Sequence, residues 1–310
     1  MKPDVTVLGD INVDMITYPL KKYPEKNRQV VVPDIYMNTG GSACNTAIAC
    51  ARLGLKTRLI GKLGNDEFSQ FLLNKLRQVG VERKIKISKK EKTGITFALT
   101  VQDSRSFISY KGTNDTLSVK DFSLNQIKGK LFVLSGFNLL NSLRKDVNSL
   151  FEYAKEKGMK TALDPNWDPD GWSEKRVNDI TNLLKNTDWF FPDLEEGEAM
   201  SFTENTKLIA DKLLMYGPEI VCLKLGEEGC LLADKNKRQL IKSFHVDSLN
   251  ATGSGDVFLA GFVRESLRGK SSEEAARFAN AAAALSITKF GLDRYPTYKQ
   301  VEKFMKEGKV

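Results

Sequence analysis

The stretch Leu249-Asn250-Ala251-Thr252-Gly253-Ser254-Gly255-Asp256-Val257-Phe258 is a glycine-rich turn that ends in a carboxylate and opens into the apolar run 257–263. Two glycines let successive backbone N–H groups converge on an anion, the start of the following helix adds its positive end, and the turn delivers Asp256 to the same spot. An anion cradle beside a base suits phosphoryl transfer. Asp256 can accept the proton of an attacking hydroxyl, while the N–H groups of Gly253, Ser254 and Gly255 face the charge on the phosphoryl oxygens. Taken alone, the same residues also make an ordinary strand-to-helix turn with Asp256 as a helix cap.

Upstream of that turn, short apolar runs at 5–9, 57–61, 131–135, 160–164, 188–191 and 220–225 alternate with amphipathic stretches at 42–53, 67–79, 143–157, 175–184 and 206–216. This alternation predicts a mainly parallel sheet covered on both faces, an α/β/α sandwich. Gly54, Gly80 and Gly158 stand where helix C-terminal caps belong. Downstream, a long helix is expected over 272–289, entered by the capping pair Ser271 and Glu274 and stopped at Gly291. Two β-rich stretches, 29–36 and 95–110, break the alternation, the second with a hairpin turn expected at Asp103-Ser104-Arg105.

A second glycine element lies far from the first: Thr39-Gly40-Gly41-Ser42-Ala43-Cys44-Asn45-Thr46-Ala47 sets paired glycines at the mouth of a helix, with Asn45 one turn inside. Together the two stretches resemble the signatures of the ribokinase-like (PfkB) carbohydrate kinases. Further similar segments follow in family order from residue 5 to residue 291: Asp14 after the first strand, Asp164-Pro165-Asn166, Pro192-Asp193-Leu194-Glu195-Glu196 and Lys224-Leu225-Gly226-Glu227-Glu228-Gly229. The resemblance implies a single kinase domain over 1–310, ribokinase-like, in which a small β-sheet formed by about 12–38 and 94–112 serves as a lid over the sugar and as the contact of a homodimer.

The resemblance also assigns roles. Asp14, Gly40, Gly41 and Asn45 would bind sugar hydroxyls, for which an ionised carboxylate can accept two vicinal donors. Lys224, Gly226, Gly229, Thr252 and, on an alanine-rich helix otherwise explained by close packing, Asn280 would form the ATP side. Glu196 would organise magnesium, a hard cation that prefers oxygen; the family asparagine three residues before it is Asp193 here. Many members have Asp where this chain has Asn250, and that carboxylate helps hold a monovalent cation. The loss of charge predicts a weakened site and little dependence on potassium.

Composition narrows the alternatives. A chain of 310 residues, 41% hydrophobic, can bury a large core, and no run of about 18 apolar residues suggests a membrane span or targeting segment. The net charge of +8 is scattered among acids, which argues for a solvated surface rather than a nucleic-acid groove. Cys44, Cys50, Cys222 and Cys230 lack metal spacing and read as reduced thiols of a cytoplasmic protein. His245 is the only histidine, on a β-like stretch outside the motifs, and a structural role is expected for it. Without it no Ser-His-Asp arrangement can be assembled, and the chain lacks a Gly-x-Gly-x-x-Gly turn after its first strand, which disfavours a dinucleotide oxidoreductase.

The expected activity is ATP-dependent phosphorylation of a sugar hydroxymethyl group. Asp164-Pro165-Asn166 resembles fructokinases and 2-keto-3-deoxygluconate kinases, but these commonly continue with arginine where this chain has Asp168. Sugar acids and phosphates need convergent cations, and the lid offers mainly Arg105 and Lys111. A neutral sugar such as fructose or ribose is therefore expected. The alternatives are a nucleoside kinase, a 2-keto-3-deoxygluconate kinase, and a sugar- or nucleotide-binding protein on the same fold that has lost catalysis.

Overall fold

Seven parallel strands, buried on both faces except at the charged edge strand, make up most of a nine-stranded sheet in the computed structural model, which describes residues 2–18, 20–101 and 104–307. In spatial order the parallel strands are Ile220–Lys224, Trp189–Phe190, Lys160–Asp164, Leu131–Ser135, Val5–Gly9, Thr57–Gly64 and Glu82–Ser88. A hairpin of Cys230–Asp234 and Arg238–Ile241, not expected from the sequence, continues the sheet antiparallel beyond Ile220–Lys224.

Alternation along each strand assigns its residues to two cores. Val5, Val7, Leu59 and Val133 pack with residues of helices Ser42–Arg52, Ser254–Ser266 and Ser272–Ser286, while Leu8, Ile60, Phe132 and Leu134 pack with Val147–Glu156, Glu174–Leu184 and Thr206–Met215. Strands buried on both faces need such continuous apolar runs, and three layers result. The alanine run is explained by helix packing: a Cβ on Gly261 would come within 2.9 Å of Ala279 Cα. Gly54, Gly80 and Gly158 take left-handed φ values of 89°, 77° and 70° just past helix ends, as expected of C-terminal caps.

A second sheet of four strands has the order Ile35–Gly40, Asn12–Thr17, Gly94–Val101, Ser104–Tyr110. The strand expected over 29–36 begins only at Ile35, and Asn12–Thr17 is a strand the sequence reading did not separate. Of the expected hairpin turn, Asp103 lies outside the described residues, as does the side chain of Arg105. The helix expected over 143–157 opens as a 3-10 turn, Arg144–Asp146, before Val147–Glu156, and that expected to 289 ends at Ser286. Among the described residues no helix is long and apolar enough to cross a membrane. Val5–Gly9 lies between Thr57–Gly64 and Leu131–Ser135, where the order of connection reverses, and a crevice opens beyond the carboxyl ends of these strands.

Candidate active site

Gly253 opens the helix Ser254–Ser266 in a left-handed conformation, φ 75°, which glycine adopts without strain. Asp256 follows in the first helical turn, 6% exposed; its Oδ2 accepts from Asn45 Nδ2 at 3.0 Å and its Oδ1 from the Ser42 hydroxyl. Burial, reinforced by nearby Asp164, pushes its carboxyl up to about 8 against those two hydrogen bonds. Ser42 opens the helix Ser42–Arg52, so the two glycine elements, about two hundred residues apart in the chain, meet on one carboxylate. Ser42 directly follows the paired glycines, and its contact with Asp256 depends on the fold rather than on any local sequence signal.

Asp256 lines a cavity of about 1000 Å³ that also contains Asp14, Asn45, Gly253, Ser254, Gly255, Lys224 and Glu196. A second cavity of about 620 Å³ shares Gly226 and Ser254 with it. The second has an apolar wall of Val246, Ala251, Ala283, Ala284 and Ile287, and His245 stands exposed on its lining, not on a strand as expected. The turn that contains Ser254 thus lies between a polar chamber and a partly apolar one.

On the polar side, burial lifts Asp14 to about 7, with Arg294 opposing the rise. Gly40 pairs opposite Asn12 in the adjoining strand, and a Cβ on it would fall 1.9 Å from Asp14 Oδ1. Gly40 therefore makes room for Asp14 and does not itself line the cavity, whereas Gly41 does. Gly41 has φ 82°, and a Cβ there would lie 2.6 Å from the carbonyl oxygen of Asp10. Asn45 is committed at both ends of its amide: Tyr295 Oη donates to its Oδ1 at 2.7 Å, and Nδ2 donates to Asp256. Its first partner is the carboxylate rather than open space.

The opposite rim is carboxylate-rich. Asp193 caps the helix Leu194–Ser201: its Oδ1 accepts from Glu196 N at 2.8 Å and its own N donates to Glu196 Oε2 at 2.8 Å. Aspartate thus performs the capping that the expected asparagine would. Glu196 is 2% exposed and burial raises its carboxyl well above the usual range. Lys224 donates to Asp164 Oδ2 at 3.0 Å; burial alone would depress the ammonium, but Asp164, Glu196 and Asp193 hold it above the ordinary lysine range. Asp164 Oδ1 is buried with no partner. An orphaned carboxylate oxygen beside Asp193 and Glu196 fits magnesium. Among the described residues no group of three or more such side chains is placed to hold a metal by itself, so magnesium here would have to keep waters and bind through one or two carboxylates and phosphates.

Two of the expected nucleotide positions, Gly229 and Asn280, line neither cavity. Gly229, φ 105°, lies so close to the hairpin that a Cβ would meet Ile241 O at 2.1 Å, and only its neighbours 226–228 line the second cavity. Asn280 does not line either cavity. It is 3% exposed, and Nδ2 donates to the carbonyls of Ile241 and Lys242 at 2.8 and 3.1 Å, anchoring the segment that forms the wall. Thr252 lines the polar cavity, and its N–H donates to Asn250 Oδ1 at 2.9 Å. Beyond Asp164-Pro165-Asn166, Asp168 turns inward to pair with Arg176 and is absent from the lining, whereas Asn166 and Trp167 are on it.

The model of the pfkB family carbohydrate kinases matches residues 2–297, and this chain belongs to that family. It is 32% identical over 249 residues to an uncharacterized sugar kinase of Archaeoglobus fulgidus, covering 78% of this chain and 95% of that one. It is 29% identical over 277 residues to the 2-dehydro-3-deoxygluconokinase of Bacillus subtilis, covering 86% of each. The crystal structure of the Thermotoga maritima ribokinase superposes with a TM-score of 0.82 at 26% identity, covering 98% of this chain and 99% of that one. The sheet, the smaller sheet and the helices are those of the ribokinase-like fold.

Proposed function

We propose that this chain transfers the γ-phosphoryl group of ATP to the hydroxymethyl group of a small neutral sugar such as fructose or ribose. The observation that carries this reading is Asp256 itself, held by Ser42 and Asn45 between a polar chamber and an anion cradle. Asp256 takes the proton of the acceptor hydroxyl as the new O–P bond forms and the bond to ADP breaks. Gly253 and Gly255 present N–H groups to the phosphoryl oxygens, the N–H of the expected Ser254 being spent instead on the carbonyl of Ala251 at 3.2 Å, and Asp14 orients the sugar. Adenine occupies the cavity walled by Val246, Ala283 and Ile287, beside Gly226. Asp164 and Glu196 would hold hydrated magnesium, which when bound neutralises charge on the phosphates.

Charge supports a neutral acceptor. Among the described residues on the polar cavity's lining, Lys111 lies 3.4 Å from Asp170 and Lys224 is bonded to Asp164, so the cations there already have carboxylates. Position 168 offers no cation to a sugar acid, and the nearby Arg176 is spent on Asp168. Trp167 is half exposed on the lining beside Phe107, and such aromatic planes favour a nucleoside as the second reading.

The four-stranded sheet serves as the lid of one kinase domain, since Asp14, Thr96 and Ser109 of its polar face line the cavity. Its other face carries Met37, Phe97 and Ile108, each more than 40% exposed, and supports a homodimer through the lid. Four buried, unpaired cysteines suit the cytoplasm. The deciding experiment measures ADP release from ATP–magnesium with fructose, ribose, 2-keto-3-deoxygluconate and nucleosides. Turnover confined to the sugar acid would overturn the neutral-sugar reading, and turnover with none, alongside intact ligand binding, would favour a binding protein.

A further inference from the structure

Arg294 ends the 3-10 turn Gly291–Arg294 and is 3% exposed, yet its Nη2 is shielded from solvent with no hydrogen-bond partner. The other buried arginines of the fold are treated differently: Arg58 pairs with Glu82 at 2.7 Å and Arg176 with Asp168. A guanidinium keeps its charge at any ordinary pH, and burying one without a counterion is costly unless the charge is used. Its location indicates the use. A Cβ on Gly253 would lie 2.5 Å from Arg294 Nη2, 3.1 Å from Asn45 Nδ2 and 3.3 Å from Asp256 Oδ2. The guanidinium, which lies 5.4 Å from the Tyr295 ring centroid and acts on Asp14 but has no ion pair within bonding distance, therefore stands beside the residue that opens the glycine turn.

We propose that Arg294 is a positioning residue for phosphoryl transfer: a fixed cation built into the wall behind the cradle, which attracts the transferring phosphoryl group through Gly253 and takes the place of a bound potassium ion. The proposal rests on the kinase reading above. Arg294 is absent from the cavity lining, so it acts through its field, which is weakly screened in a buried site, and not by contact. The segment that carries it is tied to the site, since the next residue, Tyr295, donates to Asn45, and Arg52 Nε donates to Tyr295 O at 2.9 Å. Asn250 supplies the complementary observation. Its side-chain oxygen accepts from the N–H of Thr252 at 2.9 Å and carries no net charge, so this turn supplies no carboxylate for a potassium ion, and the guanidinium beside Gly253 is the fixed positive charge instead. Asp14 feels the same guanidinium, which opposes the effect of burial on its carboxyl.

The test compares wild type, Arg294→Gln and Arg294→Lys. Calorimetry measures binding of ADP–magnesium with and without aluminium tetrafluoride, an anionic mimic of the transferring group, in the presence of fructose or ribose. Arg294→Gln should keep the affinity for ADP alone within about twofold and lose about tenfold or more of the tightening that fluoride gives; Arg294→Lys should keep most of it. In turnover, Arg294→Gln should lower kcat by roughly 30-fold with little change in the KM for ATP, and guanidinium or potassium ions should restore part of the loss. Fluoride tightening equal to wild type in a folded Arg294→Gln protein would overturn the proposal, as would a folded Arg294→Lys protein as impaired as the glutamine variant. A rise confined to the sugar KM would assign the guanidinium to the acceptor and overturn it too. Should Arg294→Gln fail to fold, the wild type still decides: tenfold or greater activation by potassium over a large organic cation at matched ionic strength refutes the replacement. A wild type that phosphorylates nothing and shows no fluoride tightening refutes the kinase reading and this proposal together, whereas a competent wild type with indifferent variants refutes only the proposal.

Discussion

Asn45 and Asp256, 211 residues apart in the chain, are joined by a hydrogen bond of 3.0 Å from Nδ2 to Oδ2. The other end of the same amide accepts from Tyr295, whose hydroxyl also lies 3.0 Å from Thr39 Oγ1. The amide can present its N–H to the carboxylate only in one orientation, and Tyr295 fixes that orientation. Asp256→Asn keeps the shape but removes the proton acceptor, so kcat should fall about 10²-fold or more with nucleotide affinity kept. Tyr295→Phe, which frees the amide without touching the carboxylate, should cost kcat about tenfold or less. Steady-state kinetics check both; near-normal turnover of Asp256→Asn removes Asp256 as the base.

Asp14 and Gly40 test the sugar side as a pair. Asp14→Ala should lower kcat/KM for the sugar by ~2 kcal/mol or more, the range for a hydrogen bond to a charged group, and leave the KM for ATP almost unchanged. Gly40→Ala should have a related effect without removing any functional group, because its Cβ would come 1.9 Å from Asp14 Oδ1 and force the carboxylate aside. An equal loss toward ATP and sugar in either variant would mean general damage to the fold.

The pH profile follows from burial. Burial pushes Asp256 up to about 8 and Asp14 up to about 7, and both work as carboxylates in the proposed reaction. The kcat/KM for sugar should therefore fall as pH drops below about 8, more steeply than one proton requires once below about 7. Ser42→Ala removes a hydrogen bond that favours the charged Asp256 and should move the first limb upward. A limb in the ordinary carboxylate range near 4 would show that neither group limits turnover.

The same shift has a stability consequence with a definite sign. A carboxyl whose folded pKa is raised favours its protonated form in the native state, so its contribution is complete below its ordinary value of 3.8 and is lost as pH rises through about 8. Asp256→Asn removes the buried charge that causes the loss. Its melting temperature should exceed that of the wild type at pH 9 by several degrees and match it more closely at pH 5. Equal differences at the two pH values would contradict the burial of a titrating Asp256.

The parallel sheet was legible because strands such as Val5–Gly9 and Leu131–Ser135 serve two cores and must be apolar throughout. The glycine turn before Asp256 was legible because a left-handed conformation favours Gly253. Roles that depend on packing were not. Nothing in the sequence near Gly40 or Gly229 distinguishes a glycine that admits a ligand from one that admits a neighbouring chain atom, and the structure gives both the second use. Asn280 is similarly spent on the carbonyls of Ile241 and Lys242, partners forty residues away that local pattern cannot name. Asn12–Thr17 escaped separation as a strand because its polar residues, Asn12 and Asp14, face the cavity and interrupt the apolar run.

The smaller sheet provides the last prediction. Its strands Gly94–Val101 and Ser104–Tyr110 pair with each other and with Asn12–Thr17, and Phe97, Phe107 and Ile108 are 45%, 55% and 61% exposed. Strands with so little buried apolar area open at lower free energy than Val5–Gly9, whose residues are all buried. Thr96 and Ser109, 3.1 Å apart across the pair, face the polar cavity together with Asp14, so a sugar held there bridges the sheet to the main body. Amide exchange in Gly94–Val101 and Ser104–Tyr110 should therefore slow when the true substrate is added, and slow more than in the core strands, which are already protected. Mass spectrometry of peptides from this region, with and without saturating sugar, reads the effect. Exchange unchanged at saturation would make this sheet a static edge and place the exclusion of water in the main body alone.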